Sequence, residues 1–225
     1  RKFYQEFGEK TISIKSEKGQ QIREQWTEKL KELIEPFNID FGIFAGFVPL
    51  TNLTRSFPCL NVHPGDLTIE ENGMRLLVGL HTIPVERAIL ASHTFLRSSV
   101  ILAQPYTAYG GNMDSGPILG ISPPVPVNLY GYTIEELRCC LSKRPKKRPK
   151  GGFKDILEDI AYKNLENLKV NGDWIVFPQV VADFATGKFA LDEKQNLYFQ
   201  KDNRYIKIKT VEYGVDGKKN LITLD

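Results

Sequence analysis

The stretch Phe41-Gly-Ile-Phe-Ala-Gly-Phe47 is almost wholly apolar and does not alternate, the pattern of a strand covered on both faces in a parallel sheet. Two similar runs follow. Phe57-Pro-Cys-Leu-Asn-Val62 ends at His63-Pro64-Gly65, and Ser98-Ser-Val-Ile-Leu-Ala103 ends at Gln104-Pro105. Between these two lies a helical segment, Thr82 to Ala91, with Pro84 in its first turn, where a missing N–H costs nothing. Ahead of the first run, Ile22, Trp26, Leu30, Leu33, Ile34 and Phe37 recur at three-and-four spacing, which predicts an amphipathic helix over Gly19 to Phe37, stopped by Pro36 and Asn38. Strand and helix alternate, so the fold class expected is α/β with right-handed crossovers.

Further along, Thr133-Ile-Glu-Glu136 matches a capping box and opens a helix through about Leu141. Lys143 to Gly152 holds six basic residues, two prolines and a closing Gly-Gly, and reads as a linker. Phe153 to Leu168 is helical in pattern, Phe177 to Thr186 forms a further short helix closed by Gly187, and four strand-like segments follow, with Asp216-Gly217 as a hairpin turn. The expected organisation is a core over residues 1–142, a basic linker over 143–152 and a C-terminal helix and β-hairpin appendage over 153–225.

The composition suits an ordinary globular chain: 225 residues, 41% hydrophobic, 25% charged, net charge +3. It excludes collagen-like, wholly disordered and disulfide-dense classes. A chain of this length buries roughly 70% of its unfolded surface, so it needs no metal or disulfide to hold a core. There are three cysteines, Cys59, Cys139 and Cys140, two of them adjacent, which points to a reducing compartment. No apolar stretch approaches the roughly 18 residues of a membrane span, and residues 1–20 lack the apolar segment of a signal peptide. A cytoplasmic protein without a membrane partner is expected.

Ligands of open α/β sheets sit beyond the carboxyl ends of the strands. Asn61 and His63 lie at such an end, two residues apart, so on extended backbone they project to one side. Together they could donate to a developing oxyanion, at about 3 kcal/mol per donor. The plainer reading, a histidine satisfied by a neighbouring carbonyl, stays open on those residues alone. Asp114, in the Gly-rich loop Gly110-Gly-Asn-Met-Asp-Ser-Gly-Pro117, could hold an imidazole's charge and relay protons if the loop folds back to the strand end.

Leu60-Asn-Val-His-Pro-Gly65 and Met113-Asp-Ser-Gly-Pro-Ile-Leu119, preceded by Asp40 to Leu50, resemble the family of 10-formyltetrahydrofolate-dependent formyltransferases, in which an Asn-x-His strand end is followed by an Asp-x-Gly-Pro loop. The resemblance covers about Gly19 to Pro126, and more loosely Gly172 to Leu191. It implies a Rossmann-like, mostly parallel sheet with helices on both faces. It also implies catalytic roles for three residues: Asn61 binding the formyl oxygen, His63 stabilising the oxyanion and acting as acid, and Asp114 setting the charge of His63. The folate would lie between Phe47, Val48, Pro49 and Leu50 on one side and Gly110, Gly111, Asn112, Met113, Gly116 and Pro117 on the other. The activity implied is formyl transfer from 10-formyltetrahydrofolate to a small-molecule amine, phosphorylated or not, with tRNA another acceptor of the family. Hydrolysis of the same cosubstrate, or a folate-binding module without chemistry, are the alternatives.

Two departures stand out. Relatives carry a Thr-x-His on the strand before the Asp loop, where this chain has Ser98-Ser99-Val100-Ile101. The family's first strand and Gly-rich turn have no counterpart in Arg1 to Lys18, so either that half lies upstream of Arg1 or the acceptor differs.

Other constellations carry less. His81 and His93 are twelve positions apart with no cysteine or paired carboxylate at ligand spacing, so no zinc site is expected, though His81 could line an acceptor pocket. Cys59 inside an apolar run reads as a small buried filler rather than a nucleophile. The basic run could meet phosphate but lacks interleaved aromatics, which favours a solvated linker. Trp26 and Trp174 are expected in core or element-edge packing, and the strands near Tyr198 and Tyr205 form either an oligomer edge or a covered hairpin.

Overall fold

A computed structural model describes residues 2–8, 16–47, 50–106 and 113–223. Its first half contains helices α1 (Lys2–Glu6) and α2 (Glu17–Ile34), strands β1 (Gly42–Phe44), β2 (Cys59–His63), β3 (Glu70–Glu71) and β4 (Met74–Arg75), helix α3 (Ile83–Leu90), and strands β5 (Phe95–Leu96) and β6 (Ser99–Leu102). Then come β7 (Ile118–Ile121), β8 (Val125–Pro126), helices α4 (Ile134–Ser142), α5 (Ile156–Leu168) and α6 (Trp174–Ala185), and strands β9 (Phe189–Leu191), β10 (Leu197–Lys201), β11 (Arg204–Ile208), β12 (Thr210–Tyr213) and β13 (Lys219–Ile222).

The fold class is α/β. A six-stranded mixed sheet has the order β1-β2-β6-β7-β12-β13. β1 with β2 and β7 with β12 run parallel, while β6 with β7 and β12 with β13 run antiparallel. β6 is buried at Ser99, Val100 and Ile101 although its partner β7 is antiparallel, because a central strand is covered on both faces whichever way it runs. The C-terminal hairpin is β12–β13, and β12 extends the sheet beside β7.

By internal contacts the chain divides into two compact units, Arg1–Asn61 with Leu102–Gly116, and Val62–Ile101 with Pro117–Asp225. In the first unit Ser16 caps α2 by accepting the Gly19 N–H, and Asn38, in the left-handed region at φ 52°, ends the turn that follows. The buried face of α2 is Gly19, Ile22, Arg23 and Thr27. Leu33 and Phe37, expected on the apolar face, are 70% and 75% exposed. Polar bonds dock the helix: Arg23 donates to the Leu50 carbonyl at 2.9 Å, Thr27 meets Thr51 at 3.2 Å, and Glu24 accepts from the Asn52 amide at 2.6 Å. A small core of Phe44, Leu53, Cys59 and Ala103, with Leu30, Ile34 and Phe57 against it, lies beneath.

The second unit has the larger core. α3, α4 and α5 pack through Val85, Ile89, Leu137, Leu157, Ile160 and Leu168, each fully buried and contributing about 1.5–3 kcal/mol. Buried residues of α5 recur at 157, 160, 161, 164, 165 and 168, the stripe the sequence predicts. Asn164 within that stripe is satisfied, exchanging bonds with the backbone of Asn128 at 2.9 and 2.8 Å. α6 packs on β7 and β12, so close that a side chain at Gly120 would meet Val180 and Tyr213 below 3 Å.

Candidate active site

β2 ends with the residues the sequence singles out. Asn61 donates from its side-chain amide to Oδ1 of Asp114 at 3.2 Å, 53 positions along the chain. Asp114 sits in a single 3-10 turn, Met113–Ser115. Two features hold that turn within the first unit. The Gln104 N–H donates to the Met113 carbonyl at 3.0 Å, and Gly116 crosses so near Leu102 that a Cβ would stand 1.9 Å from its carbonyl oxygen. Only glycine fits there, so the Asp-x-Gly spacing is a packing requirement as well as a motif.

His63, the last residue of β2, is 3% exposed and belongs to the second unit. Its Nε2 lies 2.7 Å from the Leu77 carbonyl oxygen. A carbonyl only accepts, so Nε2 carries the proton in that bond. The plainer reading of His63, satisfaction by a carbonyl, describes this Nε2 bond. Gly65 passes under the imidazole: a Cβ there would meet Nε2 at 3.2 Å and the Leu77 oxygen at 2.6 Å. The turn after His63 is tied to the sheet by Ser99, whose hydroxyl donates to the Gly65 carbonyl at 2.8 Å and accepts the Leu67 N–H at 3.0 Å. Ser99 and its neighbour Ser98 occupy the stretch where the resemblance leads one to expect a histidine.

Of the residues expected to bind folate, Phe47, Leu50, Met113 and Gly116 fall in the first unit and Pro117 in the second. Phe47 stacks on Phe44 at 5.3 Å and on Trp26 at 6.1 Å, and with Met113 it packs against the small core. Val48, Pro49, Gly110, Gly111 and Asn112 lie outside the described residues. Cys59 is fully buried, and burial pushes its thiol up to about 12, so it is a neutral filler at physiological pH.

Three features were not legible in advance. Asp173 closes a single π-helical turn, Lys169–Asp173, between α5 and α6, and accepts a hydrogen bond from the Ser98 hydroxyl at 2.5 Å across 75 positions. An interior Gly172 in a helical pattern was the available signal. Trp174 is 69% exposed, against the expected packing. Arg144, from the basic run, is buried: it forks onto Asp155 at 2.6 and 2.8 Å, reaches Glu86 at 2.5 Å and covers the Phe153 ring.

A groove of about 780 Å³ runs along α5 in the second unit, past His81 and Tyr162. Its carboxylates are compensated internally, Asp155 by Arg144, Glu158 by Arg148 and Asp159 by Lys163. Among the described residues no group of three or more His, Cys, Asp or Glu is placed to hold a metal, and no helix is long and apolar enough to cross a membrane.

No family model matches the chain, and no curated protein matches it. Solved structures similar to it include two formyltransferases and a deformylase. Glycinamide ribonucleotide transformylase 1 from Symbiobacterium toebii is 20% identical, with a TM-score of 0.46 over 78% of this chain and 63% of that one. Phosphoribosylglycinamide formyltransferase from Anaplasma phagocytophilum is 18% identical, with a TM-score of 0.46 over 79% and 67%. A formyltetrahydrofolate deformylase from Pseudomonas syringae pv. tomato is 13% identical, with a TM-score of 0.47 over 79% and 46%. The chain thus spans less than two thirds of the first of these proteins.

Proposed function

We propose that the chain transfers a formyl group from 10-formyltetrahydrofolate to an amine. The observation that carries this reading is the bond between Asn61 and Asp114, which joins the two sequence motifs at the end of β2. An Asn side-chain amide has two N–H groups. One is given to Asp114, and the other is assigned to the formyl oxygen. His63 follows two residues on along the same strand, with Nε2 on the Leu77 carbonyl.

In the reaction read this way, the amine nitrogen attacks the formyl carbon and the carbonyl electrons move to oxygen, where Asn61 and His63 donate to the oxyanion. The amine loses a proton, the folate nitrogen takes one, and the bond between carbon and that nitrogen breaks. A formamide and tetrahydrofolate leave. Asp114 and His63 carry the protons between the two nitrogens. Neither a metal nor a covalent enzyme intermediate is needed.

The test is to incubate the protein with 10-formyltetrahydrofolate and follow tetrahydrofolate release with and without a panel of amines that includes phosphorylated ones and tRNA. Release that requires an amine is the expected result and identifies the acceptor class. Release in water alone replaces transfer by hydrolysis. Binding without release under any condition overturns the enzymatic reading and leaves a folate-binding module.

A further inference from the structure

We propose that the basic loop over 143–154 and the groove beside it bind single-stranded RNA, the lysines taking its phosphates and the groove its bases. The inference stands apart from the formyl chemistry and concerns residues of the second unit alone.

The sequence offers the basic run as a solvated linker, and the structure corrects this. Its two arginines are occupied internally. Arg144 forks onto Asp155 and reaches Glu86, Arg148 pairs with Glu158, and both guanidinium groups lie over the Phe153 ring, at 4.1 and 5.8 Å from its centre. Glu158 also accepts the Lys154 N–H at 2.7 Å, and a Cβ on Gly152, which has φ 98°, would stand 2.5 Å from the Glu158 carboxylate. A planar guanidinium is more weakly hydrated than an ammonium and is the easier cation to bury, so the arginines serve as pins and the lysines stay outside.

Lys143, Lys146, Lys147, Lys150 and Lys154 are exposed. Among the described residues none of these five ammonium groups pairs with a carboxylate. Their charge exceeds the +3 of the whole chain, so positive charge is concentrated on this one pinned loop. Held in shape, the loop loses little freedom when an anion arrives. Lysines spaced along a loop suit the repeated single charges of a phosphate backbone, whereas forked recognition of one phosphate would call on the arginines, which are occupied.

The run has no aromatic residue of its own, and the groove supplies them. That groove of about 780 Å³ is lined by Arg148, Gly151 and Lys154 of the loop and by Tyr162 and His81, so loop and groove are continuous. Tyr162 is 54% exposed and His81 is exposed, and each ring offers a face on which a base can stack. The Tyr162 hydroxyl and the His81 ring nitrogens take no protein partner among the described residues, which leaves them to bond a ribose 2′-hydroxyl, the group that separates RNA from DNA. The carboxylates of the groove do not oppose an anion, because Asp155, Glu158 and Asp159 are matched by Arg144, Arg148 and Lys163.

The experiment is fluorescence anisotropy of a labelled oligouridine of about 15 nucleotides, the scale of one single-strand site, titrated with the full chain over a salt series. With about four phosphates neutralised, affinity is expected to fall roughly 50-fold between 50 and 200 mM salt. The triple variant Lys146→Ala, Lys147→Ala, Lys150→Ala leaves the pins intact and should lower the slope of log affinity against log salt by about 2. Tyr162→Ala should weaken binding about tenfold with the slope unchanged. An oligodeoxyuridine of the same length should bind more weakly than the RNA. Absence of binding at 50 mM salt, a slope unmoved in the triple variant, or an affinity unmoved in Tyr162→Ala overturns the proposal. Equal affinity for the oligodeoxyuridine overturns the assignment to RNA, and binding to phosphatidylserine vesicles without binding to the oligouridine replaces RNA by a membrane surface. No folate enters the measurement, so failure here leaves the formyl reading standing, and failure of formyl release leaves this one.

Discussion

The two units of the chain are held by different physics. The second buries a continuous apolar set from α3, α4 and α5 and a charged cluster centred on Arg144. The first has a small apolar cluster around Phe44, Leu53, Cys59 and Ala103 and docks its long helix through hydrogen bonds around Arg23, Glu24 and Thr27. Apolar burial and desolvated ion pairs resist local opening, whereas a hydrogen bond adds only about 1 kcal/mol net. Asp114 and Asn61 belong to the first unit, and His63 belongs to the second.

The contrast is sharpest in the charged clusters. Arg144→Ala strands Glu86 and Asp155 without their cation, and unfolding in denaturant should show a loss of about 3–5 kcal/mol. Glu24→Ala, which removes an acceptor from Asn52, Arg55 and Tyr106, should cost about 1 kcal/mol, because its ion pair is half exposed. Equal losses would erase the distinction. The first variant also carries a pH signature. The Arg144 hydrogen bond holds the Asp155 carboxyl below its usual range, so its contribution is present above about pH 4 and is lost as pH falls through the lowered value. In Arg144→Ala that acid limb of the stability curve should flatten.

Core truncations give a smaller difference in the same direction. Ile160→Ala removes a fully buried side chain from the second unit and should cost about 3–4 kcal/mol, while Leu53→Ala in the first should fall near 2 kcal/mol, both read from denaturant midpoints. The smallest effect is local. Cys59 is buried in the first unit and Cys139 is exposed in the second, so a thiol reagent at pH 8 should label Cys139 promptly and Cys59 only through opening. In mild denaturant, Cys59 should become reactive before the fluorescence of Trp174 in a Trp26→Phe background changes. Simultaneous change would mean that the whole chain opens as one.

What the sequence made legible were local signals. The end of β2, the Thr133 capping box and the stripe of α5 needed only neighbours within a few residues, and each lies where its pattern indicates. The contact between Asn61 and Asp114 spans 53 positions; the sequence pointed to the loop folding back to the end of β2, but with the imidazole of His63 as the expected partner of Asp114. The face of α2 was misleading. Leu33 and Phe37 keep the helical period but stand in water, and Arg23 and Thr27 are buried because the loop at 50–52 offers them partners. Asp173 was out of reach for a related reason. Gly172 and Pro178 look like helix breakers, so α6 was expected to begin at Phe177; it begins at Trp174, and only contact with Ser98 explains the intervening turn. Likewise RYIKIKTVEYG alternates throughout but divides at Lys209 into β11 and β12, which join different sheets.

The most direct test of formyl-group chemistry at the end of β2 is the rate of tetrahydrofolate release in Asp114→Asn, measured against the native chain with saturating 10-formyltetrahydrofolate and the best acceptor. Asparagine keeps the size and an acceptor for the Asn61 amide while removing the charge. The predicted result is a loss of about 100-fold or more in release with cosubstrate binding retained; release at the native rate would contradict it.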